Sequence, residues 1–307
     1  MTVRRSRGRA LNGFLVMDKP VGMSSNHVVQ KVKRLLDAQK VGHTGSLDPL
    51  ATGVLPLCLG EATKFSQYLL DSDKHYWTRI RLGVTTTTGD ADGEVVSTAS
   101  TESLSAELIR QVVGEFIGSM QQIPSMYSAI KHQGQPLYKL ARAGVAPERK
   151  ARDITIHSNR LIAIEGDCIE VEFRCSKGTY IRTIAEDIGL RLGCGAHVEA
   201  LRRLGAGPFR ESDVVSFETL ERACEAADGE QFLRPISSAV ENWPEVKLNE
   251  ALAWYLRQGQ AVQVPHAPTA GWVRLAVDRD SSPAAFMGVG EILDDGRVAP
   301  RRLVVGG

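Results

Sequence analysis

The segment 42–53, with the sequence GHTGSLDPLATG, concentrates the residues of this chain that could do chemistry. Its three glycines allow the backbone to approach a ligand closely or to adopt positive φ, and Pro49 biases Asp48 away from helical backbone angles. A fixed loop of this kind can present the Asp48 carboxylate to a substrate. The same residue types form turns, so a purely structural Asx turn explains Asp48 about equally well at this point.

Two other kinds of site are disfavoured by the same residues. A phosphate-binding P-loop is disfavoured because no Gly-Lys-Ser/Thr follows, so the lysine that would reach a nucleotide phosphate is missing. A metal site is disfavoured because His43 and Asp48 have no second cluster of ligands at recognisable spacing. The five cysteines form no C-x-x-C pair, so we expect neither a disulfide nor a structural zinc. We therefore predict a site without cofactor and without metal.

Segment 42–53 resembles the signature motif of the TruB family of tRNA pseudouridine-55 synthases, in which the aspartate is the nucleophile. Other motifs of that family occur in family order over residues 12–205. They match residues 18–20, 22–25, 60–64, 73–76, 90–93, 123–131, 176–182 and 195–203. One local difference is Thr87, which stands where many members have an aspartate.

The resemblance implies an isomerase that converts the T-loop uridine of tRNA, at position 55, to pseudouridine. This reaction breaks the bond between N1 of uracil and C1′ of ribose, rotates the base and joins C5 to C1′, so it needs no redox cofactor and no metal. A stacked uridine must first be flipped into a pocket. The expected partner is the T stem-loop of tRNA, and we expect a monomer with no obligatory protein partner and no membrane association.

The resemblance also implies roles for residues other than Asp48. Arg182 is the cation that keeps a buried Asp48 ionised, since desolvation alone raises the pKa of a carboxylate. Tyr76 offers the base an aromatic face and is a candidate to take the C5 proton. The remaining substrate-binding residues are His43, Tyr180, Leu201, Lys19, Lys64 and Asp90. Most have a structural alternative, which is core packing for Tyr76 and Leu201, a turn for His43 and salt bridges for the two lysines.

The patterns around these residues indicate an α+β, or mixed α/β, fold. An apolar run at 14–19 predicts a short buried strand, and Ser24, Ser25 or Asn26 can cap the helix after it. Alternating faces at 76–83 and 169–175 predict half-buried strands. A further strand is expected at 54–59, a helix in the ten residues after it, and helices near 105–118 and 183–192. We expect the catalytic domain to surround a mixed, mostly antiparallel sheet.

Charge is uneven along the chain, although 37 basic and 36 acidic residues leave a net charge of only +1. Residues 1–40 and 131–160 are rich in lysine and arginine, and residues 211–250 are acidic. The basic segments would supply the phosphate contacts that dominate RNA affinity. We interpret the loop-like stretch 132–152 as a lobe that closes on the RNA.

The last part of the sequence differs in pattern from the rest. After residue 250, short apolar runs alternate with turns, which predicts a small β-barrel similar to the PUA RNA-binding module. We therefore divide the chain into a pseudouridine synthase catalytic domain, 1–250, and a PUA-like module, 251–307.

Composition and motif content leave two main functional hypotheses. The hydrophobic content of 43% is that of a globular protein, and with no membrane-length apolar run and no signal peptide we predict a cytoplasmic protein. A non-catalytic RNA-binding or RNA-folding protein is the main competitor to the enzyme, and an unrelated Asp/His hydrolase is less favoured. Asp48, Tyr76, Tyr180 and Arg182 together favour catalysis, because a pure binder has no need for a carboxylate facing a polyanion.

Overall fold

A nine-stranded mixed sheet lies at the centre of the computed structural model, which describes residues 8–128, 130–145, 147–279 and 282–304. Residues 1–7 of the basic amino-terminal segment, Ala129 of the motif at 123–131, and Val305 in the last apolar run lie outside these ranges. The strands are β1 Gly13–Lys19, β2 Val41–His43, β3 Thr52–Leu59, β4 Lys74–Leu82, β5 Val84–Thr86, β6 Val95–Thr98, β7 Gly118–Gln122, β8 Lys131–His132, β9 Gln135–Pro136, β10 Arg152–Glu165, β11 Cys168–Cys175, β12 Ala196–Ala206, β13 Phe209–Arg210, β14 Glu245–Leu248, β15 Gly271–Arg279, β16 Ser282–Ile292 and β17 Val298–Leu303. The helices are α1 Ser25–Leu35, α2 Ser66–Leu70, α3 Ala106–Gly114, α4 Leu137–Arg142, α5 Ile181–Arg191, α6 Phe217–Glu225 and α7 Glu250–Arg257.

The central sheet has the strand order β1-β3-β12-β4-β11-β10-β7, with β2 beside β3 and β13 beside β12. Among its described strands the neighbours pair antiparallel, except that β3 and β12 run parallel. The expected mixed, mostly antiparallel sheet and the α+β class are therefore confirmed. The strands expected from alternation are β4 and β11. In β4 the side chains of Thr78, Ile80 and Leu82 are buried, whereas Arg79 and Arg81 lie on the opposite face.

The helices follow their sequence signals closely. Ser24 caps α1, because its side chain accepts a hydrogen bond from the His27 amide. The helices expected near 105–118 and 183–192 are α3 and α5. The helix expected after β3 is confirmed only in part, since Gly60–Phe65 form a 3₁₀ helix before the short α2. No helix in the described ranges is both long and apolar enough to cross a membrane.

Two apolar clusters cover the two faces of the sheet. The first lies under α1, α3 and α5 and contains Leu15, Ile80, Val171 and Ile184. The second lies on the other face of β1 and β3 and contains Phe14, Val16, Phe65 and Val289. Val289 belongs to β16, and the Phe65 ring lies 5.7 Å from the Phe286 ring of that strand. The second cluster therefore joins the carboxy-terminal sheet to the central one.

The acidic stretch 211–250 runs along the outer edge of the central sheet. Its backbone forms bridges to β1, between Phe14 and Arg234 and between Met17 and Val215. Its carboxylates pair with basic residues, as in the bridge from Glu221 to Lys31 at 2.8 Å. The stretch thus covers an edge strand that would otherwise expose unpaired backbone groups.

The carboxy-terminal sheet has the order β14-β15-β16-β17, with β14 parallel to β15. In its described residues it is an open four-stranded sheet with α7 packed on it, where we expected a compact barrel. Val262 adds a single bridge to Val298 on the edge strand β17. Because β14 begins at Glu245, this sheet starts before the expected boundary at residue 250. The division of the chain into two domains remains a prediction.

Candidate active site

Asp48 lies in the loop that joins β2 to β3, two strands that pair antiparallel. The Asp48 carbonyl accepts a hydrogen bond from the Ala51 amide at 3.1 Å, which is a main-chain turn, whereas the Asx turn of the structural alternative would use the carboxylate that here contacts Arg182. Just after the loop, Gly53 is the second residue of β3, its φ is +95°, and an added Cβ would lie 2.3 Å from the Arg203 carbonyl oxygen. Glycine at this position therefore allows β3 to come beside β12.

Lys19, the last residue of β1, stabilises the Asp48 loop through hydrogen bonds. Its fully buried ammonium donates hydrogen bonds to the carbonyls of Pro20 at 2.9 Å, Pro49 at 3.1 Å and Ala51 at 2.6 Å. Burial lowers the pKa of Lys19 to about 8, an effect that the nearby Asp48 carboxylate opposes. The structure thus gives Lys19 a different place from the one expected of a phosphate contact, because its charge is withdrawn from solvent and fixes the loop.

The start of α1 holds the other side of the same loop. The Ser25 hydroxyl donates to the Leu47 carbonyl at 3.1 Å and accepts from the Leu47 amide at 2.8 Å. The Gly22 amide donates to the Pro49 carbonyl at 2.8 Å. The motif residues 18–25 therefore form the support on which Asp48 is presented.

Arg182, in the first turn of α5, connects Asp48 with a second carboxylate. Its Nη2 lies 3.0 Å from Asp48 Oδ2, and its Nη1 lies 3.5 Å from Asp90 Oδ2. The guanidinium also donates to the carbonyls of Thr88 and Tyr127, both at 2.9 Å. The Arg182 side chain is only 4% exposed, whereas that of Asp48 is 40% exposed. Buried contacts thus fix Arg182, while the Asp48 carboxylate is partly exposed, and the exposed surface around it is here called the cleft.

The surroundings of Asp48 have opposing effects on its pKa. Desolvation raises its pKa above the usual value, and the Asp90 carboxylate adds to that rise. The Arg182 guanidinium and the Lys19 ammonium lower the pKa and so oppose both effects. Asp90 was expected to bind substrate, but its side chain is 6% exposed, accepts from the Thr88 hydroxyl at 2.5 Å and faces Arg182. This position suits a residue that orients Arg182.

Tyr76 and His43 lie around a buried guanidinium that belongs to Arg203. Arg203 is opposite Tyr76 in the β12–β4 register, and it donates to the carbonyls of Val54 at 2.6 Å and Gly45 at 3.2 Å. Burial raises the pKa of Tyr76, and the adjacent Arg203 opposes this rise. Burial and Arg203 both lower the pKa of His43, whose Nδ1 accepts from the Gly45 amide at 3.4 Å. His43 therefore makes the local turn contact of its structural alternative.

The remaining expected residues lie at different depths. Tyr180 precedes α5, and its amide and carbonyl are both bonded to the buried Gln122 side chain, at 2.8 and 3.0 Å. Leu201 is 8% exposed and belongs to the first apolar cluster, as its core alternative requires. Lys64 forms an ion pair with Glu61 at 2.6 Å on the 3₁₀ helix, as its salt-bridge alternative requires. The described contacts do not connect Lys64 with Asp48.

Two residues of the site were missed by the sequence reasoning. Arg203 falls inside the motif at 195–203, but a run of two arginines does not reveal that the second is 1% exposed. Gln122 lies outside every motif, so no sequence signal pointed to it. Within the described ranges, no three His, Cys, Asp or Glu side chains come together as a possible metal site.

Comparison with known proteins gives three matching family models along the chain. Residues 33–181 match the TruB family pseudouridylate synthase amino-terminal domain, residues 182–241 the tRNA pseudouridylate synthase B carboxy-terminal domain, and residues 244–304 the pseudouridine synthase II TruB carboxy-terminal domain. The carboxy-terminal match begins next to β14.

Curated relatives match over almost their whole length. The chain is 54% identical over 304 residues to tRNA pseudouridine synthase B of Nitrosococcus oceani, covering 98% of this chain and 97% of that protein. It is 53% identical over 307 residues to the protein of the same name from Pseudomonas aeruginosa, covering 98% of each.

Among solved structures, a chain of a Cbf5-Nop10-Gar1 complex superimposes with a TM-score of 0.72 at 26% identity, covering 96% of this chain and 84% of that one. The family models and the curated relatives agree on one family over almost the whole chain. The chain belongs to the TruB family of pseudouridine synthases.

Proposed function

We propose that this chain converts the T-loop uridine of tRNA, at position 55, to pseudouridine, with Asp48 as the nucleophile. As a tRNA pseudouridine synthase it is an isomerase. The observation that carries the assignment of Asp48 is its contact at 3.0 Å with an arginine that is 4% exposed, while its own side chain opens on the cleft. A carboxylate that only built a turn would not require a buried cation beside it.

Asp48 must be ionised when the glycosidic bond is attacked. The N1–C1′ bond breaks, the base rotates, C5 bonds to C1′, C5 loses a proton and N1 gains one, so atoms and electrons balance without a co-reactant. Attack on the sugar and attack on the base both need the carboxylate form. Arg182 and Lys19 supply the positive charge that favours this form, and Arg182 is oriented by Asp90 and the carbonyl of Thr88.

The flipped uracil would be held between the side chains around the cleft. Tyr76 and Tyr180 provide aromatic surface, and Leu201 provides an apolar contact at its edge. Because burial raises the pKa of Tyr76, this residue is a neutral phenol at neutral pH. As an acceptor for the C5 proton it therefore has to pass its own proton onward, and the Asp48 carboxylate is the nearby base that can receive it.

The basic lobe contributes the charge that draws RNA to the cleft. It consists of the hairpin β8–β9, helix α4 and the segment that follows, and its lysines and arginines at 131, 139, 149, 150 and 152 are exposed. Arg149 donates to the Pro124 carbonyl at 2.8 Å and so ties the segment to the cleft side. Charges of this kind make RNA binding depend steeply on salt.

Incubation with unmodified tRNA, followed by nucleoside analysis for pseudouridine, tests the function. We expect modification of the T-loop uridine alone, and persistence of activity after exhaustive chelation on an RNA fragment that folds without magnesium. The enzyme is further proposed to act in the cytoplasm as a monomer without an obligatory partner, which sedimentation of the active protein would check. Binding of tRNA with no pseudouridine formed would favour the non-catalytic hypothesis.

A further inference from the structure

A second concave surface lies beside the catalytic cleft but on the opposite face of the central sheet. It is a cavity of about 430 Å³, and Asp48 is not among its lining residues. Its lining includes His75, which precedes Tyr76 by one position in β4, and Gly205 of β12, which pairs with His75 after a register shift. Since successive residues of a strand point to opposite faces, this surface, here called the back groove, begins where the cleft ends.

The back groove contains arginines without carboxylate partners. In the described ranges Arg174 forms no ion pair, and Arg210 donates through its guanidinium only to the carbonyls of Gly207 and Phe209. Both guanidiniums act on His75, whose pKa is lowered first by burial and then by Arg174, with a smaller effect of Arg210. Their positive charges therefore converge on one wall of the groove.

Other arginines of this sheet face are neutralised. Arg79 contacts Glu165, Glu170 and Glu199 at 2.8 to 2.9 Å, and Arg160 contacts Glu172 at 2.9 Å. The acidic groups at the groove itself are also engaged, since Asp73 lies 3.2 Å from His157 Nε2 and Glu172 lies 3.3 Å from His75 Nε2. Arg174 and Arg210 thus form a local excess of positive charge on a face that is otherwise balanced.

The lining of the groove is also aromatic. Tyr68 and Trp243 belong to it, with ring centroids 5.1 Å apart, and Trp272 of β15 packs against both at 5.5 and 5.7 Å. Guanidiniums and aromatic rings in one groove match the two parts of a nucleotide, because the former bind phosphate and the latter contact a base or ribose.

We propose that the back groove binds a sugar-phosphate segment of tRNA that lies outside the T stem-loop. This inference rests on the proposed function, which makes tRNA the polyanion that the protein meets. Stacked sheets lie only about 10 Å apart, so the two faces of one sheet are close, and a large RNA held in the cleft at Tyr76 can continue around the ends of β4 and β12. The groove then adds affinity for whole tRNA without touching the reacting uridine.

The test compares two RNAs and two variants. The double variant Arg174→Gln/Arg210→Gln is expected to bind full-length tRNA on the order of tenfold more weakly, with the slope of log K against log salt reduced by roughly one to two. Its turnover of an isolated T stem-loop is expected to stay at the parent level. Arg160→Gln removes a paired arginine from the same face and is the matched control, with no change expected for either RNA. Thermal unfolding of all proteins checks that folding is preserved.

Three outcomes would overturn this proposal. Equal losses for full-length tRNA and stem-loop would make the groove part of the T-arm site, and unchanged binding of both would leave it without a role in RNA recognition. Tight binding of free adenosine 5′-monophosphate that does not compete with tRNA would identify a small-nucleotide site instead. Failure of the proposed function is distinguishable, because then the parent protein itself would form no pseudouridine in the stem-loop.

Discussion

The two faces of the sheet around strand β4 differ in how their basic side chains are paired. On the back face Arg79 and Arg81 lie among glutamates and aspartates in a partly exposed network. On the cleft face Lys19 and Arg203 are buried, as is Lys74 at the end of β4, where it also lines the back groove, and no carboxylate lies within ion-pair distance of these three in the described ranges. Their donors reach backbone carbonyls instead.

The difference shows what each set of charges does. Exposed ion pairs are screened by water and contribute little to stability, so the back-face network mainly keeps a polar surface. Buried cations carry a desolvation cost, and it is visible in the pKa of Lys19 and of Lys74, both lowered to about 8 by burial. The cations at the cleft are therefore best explained by what they hold in place, which for Lys19 and Arg203 is the Asp48 loop.

Asp48→Asn removes the negative charge of the proposed nucleophile, and we expect it to have the largest effect on turnover. The variant keeps size, shape and turn-forming ability, so it should fold normally and bind tRNA at least as tightly as the parent, since a negative charge facing a polyanion is removed. It should form no detectable pseudouridine and release no tritium from C5-labelled uridine. Retained turnover, with deamidation to aspartate excluded by mass spectrometry, would refute the nucleophile assignment.

Arg182→Met should reduce turnover near neutral pH by about 100-fold or more, with a much smaller loss of RNA binding. Asp48 must be ionised, so activity falls as pH drops through its pKa. Desolvation already raises that pKa, and loss of the guanidinium that opposes the rise moves the acidic limb to higher pH. A profile of kcat/KM against pH measures this shift. Equal losses in binding and turnover would instead make Arg182 an RNA contact.

Lys19→Met should have an intermediate effect on both stability and rate. Three carbonyls that now accept from the ammonium lose their donor, and we expect the free energy of unfolding at neutral pH to fall by about 2–4 kcal/mol. Turnover should fall as well, because the Asp48 loop loses its support. Urea denaturation and stem-loop kinetics measure the two effects, and a loss of RNA affinity alone would restore the phosphate-contact interpretation.

The same variant has a pH signature. The pKa of Lys19 is about 8 in the folded protein and 10.5 ordinarily, so between these values the unfolded chain binds more protons than the folded one. The parent therefore gains stability as pH rises through that window. Lys19→Met lacks this gain, so the difference in the free energy of unfolding between parent and variant should widen from pH 8 to pH 10.

Arg79→Gln should have the smallest effect, although it removes contacts to three glutamates. The network is partly exposed, so we expect turnover within about twofold of the parent and little change in the urea midpoint. A loss comparable to that of Lys19→Met would remove the contrast between the two faces.

The sequence predicted the parts of this molecule that depend on local pattern. Alternation identified β4 and β11, and the three cap candidates Ser24, Ser25 and Asn26 placed the start of α1, because both signals act between near neighbours. The resemblance brought Asp48 and Arg182 to the same site. Burial was not predictable at Lys19, because the lysine of an Asp-Lys-Pro run can point to solvent or to a loop 30 residues away.

Two pairings between distant segments were also not predictable, because local patterns carry no information about distant partners. Periodicity in the acidic stretch could not show that its backbone pairs with β1. β14, Glu245–Leu248, has only four residues and pairs with a strand that begins at Gly271, so its place in the carboxy-terminal sheet could not be predicted from local pattern. Such pairings depend on tertiary contacts that a local pattern does not contain.

The parallel contact between β3 and β12 has a consequence for the order in which the protein folds. It consists of Arg202 beside Thr52 and Arg203 beside Gly53, positions separated by about 150 residues. The antiparallel pair β1–β3 joins nearby segments of the chain, whereas β12 can reach β3 and β4 only after a long loop closes. Because the Asp48 loop ends at this parallel contact, we expect a refolding chain to recover most of its secondary structure before it recovers activity. Enzymatic turnover would then report completion of folding more faithfully than any spectroscopic measure of strand content.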